Sequence, residues 1–70
     1  MFDEKLKQIG ARIVYYRKIR KYNQQDFAST AGLTRQFLSK VENGEASCSL
    51  STLFHIAEVL HVDMAELVKD

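Results

Sequence analysis

Residues 24–43, QQDFASTAGLTRQFLSKVEN, decide how this chain folds. Phe27, Ala28 and Ala31 fall at helical spacing, Gly32 interrupts, and Leu33, Leu38 and Val41 resume an apolar stripe. The pattern predicts two short helices joined by a tight turn. Ala28 falls where the pair would cross, and a small side chain there permits close approach. Gly32 can supply the positive φ that ends the first helix, and the Thr34 hydroxyl can cap the second by accepting an orphan backbone N–H. Arg35 and Gln36, just inside that cap, project outward.

Upstream, the spacing predicts a helix over 3–20, with Asp3 and Glu4 near its positive end and Arg17, Lys18, Arg20 and Lys21 near its negative end. Leu6, Ile9, Ile13 and Tyr16 form its buried stripe, which Phe2 extends. Gly10 inside it costs about 1 kcal/mol relative to alanine, which points to a close helix contact. Val14, Tyr15 and Ile19 lie off the stripe, either partly packed or on a partner surface. Tyr22 precedes the next helix as its hydrophobic lead-in and Asn23 caps it.

Downstream, the third helix spans about Arg35 to Glu42, with Leu38 and Val41 inward and Arg35, Gln36, Ser39 and Lys40 outward. Phe37 packs on the second helix or faces a bound partner. Glu42, Asn43 and Gly44 read as a C-terminal stop, with Asn or Gly in the left-handed position. Ser49 caps a fourth helix, Leu50 to Leu60, whose Leu50, Leu53, Ile56, Ala57 and Leu60 face the core. Asp63 and Glu66 have capping-box spacing and open a short fifth helix to about Lys69, with Leu67 inward and Met64 and Val68 left uncovered.

Seventy residues make one small domain, 1–70, near the size at which a partner adds needed stability. Proline is absent and no β-branched run is bounded by turn signals, so the fold class expected is an all-α, compact five-helix bundle. No stretch is apolar enough to span a membrane, and MFDEKLKQ lacks the apolar core of a signal peptide, so a cytoplasmic location is expected. Cys48 is the single cysteine, which excludes an internal disulfide, and with His55 and His61 it gives no metal-ligand spacing. It reads as a partly buried small residue; a redox role would need an accessible, low-pKa thiol. The two histidines read as surface or helix-capping residues.

The net charge of +1 conceals an asymmetry. Residues 1–40 hold nine of the ten Lys and Arg against three acids, whereas residues 41–70 hold one Lys against six. A basic half and an acidic half are what a nucleic-acid-binding domain needs, although charges that merely solvate helices give the same sum.

Gln24, Ala28 and Gly32, with apolar Phe27, Leu33, Leu38 and Val41, resemble the DNA-binding helix-turn-helix of the Cro and phage-repressor (XRE-type) family, a lambda-repressor-like domain. IGARI before it, ENG after it and SLSTLFHIAEVL beyond are also similar to that family, so the resemblance covers nearly the whole chain. It implies a sequence-specific regulator of transcription, a dimeric repressor or a restriction-modification control-type protein, that binds double-stranded DNA. The third helix would read the major groove, with Arg35 and Lys40 suited to guanine, Gln36 to adenine and Ser39 to either. Gln24 would bind a phosphate, Asn43 would lie at the DNA backbone, and Thr34 would belong to the DNA-binding set. Arg17 would pair with Glu42 and lie close to phosphate. The family usually has glycine at the end of the first helix, where this chain has Lys21. Its repressor branch usually pairs near the fifth helix, which implies a homodimer through Met64 and Val68.

No catalytic motif, metal-ligand set or phosphate-cradling glycine loop appears, so no enzyme, cofactor, metal or small-molecule ligand is expected. The competing reading is a helix-turn-helix protein-interaction module, such as an antitoxin or a polymerase-contacting adaptor. The polar, basic front of the third helix favours DNA.

Overall fold

The structure is a computed structural model that describes residues 2–69, the side chain of Phe2 excepted, so the expected contribution of Phe2 to the stripe lies outside the described residues. Five helices follow in chain order: α1 Phe2–Ile19, α2 Gln24–Ala31, α3 Arg35–Glu42, α4 Leu50–Leu60 and α5 Met64–Val68. The starts of α2, α3 and α4 are capped as the sequence predicts. Asn23 Oδ1 accepts from Asp26 N at 2.8 Å, Thr34 Oγ1 from Phe37 N at 3.0 Å and Ser49 Oγ from Thr52 N at 3.2 Å. Tyr22 packs edge-on against Phe27, ring centroids 5.5 Å apart, as a staple that fixes the entry into α2.

The first four helices all end in the same way. A residue in left-handed conformation follows each, and the next N–H reaches back to a carbonyl five residues earlier: Tyr22 to Arg17, Leu33 to Ala28, Glu45 to Lys40 and Val62 to Ala57. Two of those residues are glycines, Gly32 at φ 72° and Gly44 at φ 75°. The others are Lys21 at φ 64° and His61 at φ 59°, where a Cβ makes the conformation costly. Lys21 thus adopts the geometry for which glycine was expected, and His61 is the C-terminal cap of α4.

Every helix delivers a side chain to the centre. Ile13, Phe27, Leu38, Ile56, Leu60 and Leu67 have no solvent exposure, and neither has Ala28, which lets α2 and α3 close on one another. α1 is the common wall, packed against α3, α4 and α5, while α2 packs on α3 and α4. At Gly10 the contact is backbone to backbone. A Cβ there would stand 2.5 Å from the Glu42 carbonyl oxygen and nearer still to that of Val41, so the contact expected of this glycine is with the end of α3.

Three expectations need correction. Leu50 is 65% exposed, although Leu53, one turn later on the same stripe, is buried: the periodicity is right, but the first turn of α4 runs beyond the packed bundle. Asp63 makes no side-chain cap; the Glu66 carboxylate, which would complete a capping box, instead accepts from Tyr16 Oη at 3.2 Å and Lys69 Nζ at 3.0 Å. Met64 and Val68 are half-buried against the edge of the core rather than uncovered. Among the described residues, the large apolar side chains most exposed are Tyr15, Ile19, Leu50 and Phe54.

Candidate nucleic-acid interface

Leu38, Val41 and Glu42 turn one side of α3 into the molecule, and this fixes what the other side presents. At about 100° per residue, Arg35, Ser39, Asn43, Gln36 and Lys40 fall within a single arc of about 140°. Arg35, Gln36, Lys40 and Asn43 are exposed and Ser39 is half-buried. Phe37 lies outside that arc and is half-buried against the core, which settles its packing. The arc therefore carries only polar and basic groups, the chemical types able to bond base edges. Thr34 is exposed at the start of α3, its hydroxyl engaged in the cap.

Behind this face lies a buried polar group joining three helices. Arg17 donates from Nε to Glu42 Oε2 at 2.7 Å, from Nη2 to Glu42 Oε1 at 3.3 Å and from Nη1 to the Tyr22 carbonyl at 2.8 Å. Both residues are 7% exposed, and the two-pronged guanidinium contact satisfies the buried carboxylate. The pairing of Arg17 with Glu42 is thus present. Gln24 joins it, donating from Nε2 to Glu42 Oε1 at 2.8 Å. Gln24 is half-buried rather than loose on the surface. Among the described residues, no buried side-chain nitrogen or oxygen lacks a partner.

Arg12 of α1 and Arg20, just beyond its end, also make contacts within the molecule, and no local pattern announces it. Arg20 donates from Nε to the Leu60 carbonyl at 2.8 Å and Arg12 from Nη1 to the carbonyls of Leu67 and Lys69. Each places a cation at the negative end of α4 or α5. Three of the nine basic residues in the first forty are therefore structural. Lys7, Lys18, Lys21, Arg35 and Lys40 stay exposed.

Cys48 is half-buried and burial pushes its thiol pKa up, the opposite of an activated thiolate. His55 is exposed, 3.5 Å from Glu58. Among the described residues no cluster of His, Cys, Asp and Glu could hold a metal ion, and no helix is long and apolar enough to cross a membrane.

A five-helix bundle with a tight α2–α3 corner, a polar outer arc on α3 and an N-terminally exposed α2 defines a helix-turn-helix domain. The chain belongs to the helix-turn-helix family HTH_3, whose model matches residues 13–67, in keeping with its resemblance to phage repressors and XRE-type regulators. It is 37% identical over 60 residues to the immunity repressor protein of Bacillus phage phi105, a match covering 86% of this chain and 42% of that repressor. The chain thus spans less than half the length of that relative. Among solved structures it is similar to the restriction-modification controller protein C.AhdI from Aeromonas hydrophila, at TM-score 0.87 and 28% identity over 91% of this chain and 97% of that one. It is also similar to SinR, a master regulator for biofilm formation, in complex with DNA, at TM-score 0.81 and 34% identity over 87% and 98% of the two chains.

Proposed function

We propose that this protein is a sequence-specific, double-stranded DNA-binding regulator of transcription, a dimeric repressor or restriction-modification control-type protein acting in the cytoplasm without catalysis or cofactor. The outward arc of α3 carries the reading: a helix anchored on one side by Leu38 and Val41 presents only polar and basic groups on the other. Arg35 and Lys40 donate to guanine O6 and N7, Gln36 bonds adenine and Ser39 either edge. Gln24, Thr34 and Asn43 contact phosphates and set the register. Arg17, which donates to Glu42 and to the Tyr22 carbonyl, serves that surface by holding α1 to the end of α3. The likeness to a SinR–DNA complex and to a phage immunity repressor supports this assignment.

The working species is a homodimer. The molecule measures 31 × 23 × 21 Å, too short for one copy to present readers to successive major grooves about 34 Å apart. Half-buried Met64 and Val68 on α5 and the more exposed Phe54 on α4, which lines the same depression as Met64, give the α4–α5 side the apolar surface a second copy would cover. Tyr15 and Ile19 on α1 are what a protein-interaction module would use instead, but the polar face of α3 would then have no task.

Selection of bound duplexes from a random pool, followed by a salt titration, tests the assignment. Each neutralised phosphate releases condensed cations, so log affinity falls with log salt by about 0.9 per phosphate. A response that stays flat from low to moderate salt rejects DNA binding.

A further inference from the structure

Glu42 meets Gln24 in a way that restricts what Gln24 can offer a ligand. Its carboxylate is enclosed, with Oε2 taking Arg17 Nε and Oε1 taking both Arg17 Nη2 and Gln24 Nε2. A carboxylate held by a guanidinium only accepts, whereas a carboxamide has two N–H donors at one end and an acceptor oxygen at the other. Gln24 can therefore face Glu42 only with its nitrogen. Because the amide is planar and its two N–H bonds diverge, the second Nε2–H is left pointing away from Glu42.

Gln24 is also the first residue of α2, and the Asn23 side chain caps the Asp26 N–H alone. The N–H groups of Gln24 and Gln25 have no acceptor within the helix. We infer that Glu42 is a positioning residue for DNA-backbone binding: by accepting from Gln24 Nε2 it fixes the polarity of that carboxamide. Gln24 then presents an N–H, and not its oxygen, to a phosphate shared with the first N–H groups of α2. Arg17 neutralises Glu42, so the carboxylate that sets the amide does not itself repel the phosphate. This inference rests on the DNA-binding reading above.

Glu42→Gln removes the constraint, because the introduced carboxamide can donate to Gln24 Oε1 and turn the amide round. On its own it leaves Arg17 buried without a counter-ion, so the test uses Arg17→Met combined with Glu42→Gln, in which both charges go together. Binding is measured on the selected duplex and on a set in which single phosphates are replaced by neutral methylphosphonates, with circular dichroism and thermal unfolding in parallel. The wild-type protein should lose about tenfold in affinity at one phosphate position. Gln24→Ala and the paired variant should show the same loss on unmodified DNA and no further loss when that one phosphate is neutral. A folded paired variant that binds unmodified DNA as tightly as wild type overturns the inference, and so does a loss that persists on every methylphosphonate duplex. Should the paired variant not fold, side-chain amide NMR of the wild type decides. One Gln24 Nε2 proton should be hydrogen-bonded in the free protein and the other should shift on DNA addition; two equivalent, unresponsive protons refute the inference. Failure of the wild type to bind any duplex rejects instead the DNA reading.

Discussion

Lys21 and His61 show how far one residue can depart from local preference when its neighbours agree on the turn. Both sit in left-handed conformation, and both helix ends still close their return hydrogen bonds. A side chain there costs about 1–2 kcal/mol, from which the greater unfolded-state entropy of glycine subtracts roughly 0.5–1. Lys21→Gly and His61→Gly should each stabilise the fold by about 0.5–1 kcal/mol, or several degrees in Tm for a domain this small, measured by thermal unfolding. On the proposed reading face, Arg35→Ala, Gln36→Ala and Lys40→Ala should each cost about 1–3 kcal/mol at the preferred site and relax preference at particular base pairs. Competition against random duplex checks this; equal loss on both would make α3 an anchor and move the readout elsewhere.

At the scale of elements, α5 is the short helix, and polar contacts as well as Leu67 hold it to α1. Arg12 caps its last carbonyls, and Tyr16 donates to Glu66, which Lys69 also contacts. Lys69 first, then the Tyr16 hydroxyl, hold the Glu66 carboxyl below its ordinary pKa. A carboxylate depressed in the folded state contributes stability above its unfolded pKa, and that contribution disappears as pH falls through the folded value. Amide exchange in α5 should therefore speed up relative to α2 as pH falls below the ordinary carboxylate range, once intrinsic exchange rates are corrected for. Glu66→Gln should flatten that dependence. The same hydrogen bond and burial raise the Tyr16 pKa, burial being the larger cause, so the tyrosine contribution is present below the usual phenol pKa and is lost at strongly alkaline pH.

For the whole molecule the outstanding quantity is association. Among the described residues the most exposed large apolar side chains fall in two places, Leu50 and Phe54 on α4 and Tyr15 and Ile19 on α1, and Phe54 lines the same surface depression as half-buried Met64. A self-complementary interface around a dyad needs one such surface. Phe54→Glu and Met64→Glu should each shift sedimentation to the monomer and weaken cooperative binding while helical content is kept. A dimer that survives both changes and dissociates on Tyr15→Glu would place the interface on α1. The charge asymmetry of the chain also acts at this scale, reduced where Arg17 is neutralised by Glu42.

The sequence by itself determined the five helices, the caps of α2, α3 and α4, the α2–α3 corner and the polar arc of α3. Those features depend on residues one to five apart, where period and cap chemistry act directly: Phe27 to Ala31, Thr34 to Phe37, Ser49 to Thr52. Family resemblance added the pairing of Arg17 with Glu42, which periodicity alone does not contain. Only the tertiary structure decided that Arg12 and Arg20 cap the ends of α5 and α4, that Leu50 overshoots the core, that Glu66 serves Tyr16 rather than a capping box, and that Gln24 is bound to Glu42. Each of these depends on where a helix stops in space relative to a partner far along the chain. Arg20 meets Leu60 forty residues away because both helix ends arrive at the same corner of the bundle, which no local pattern encodes.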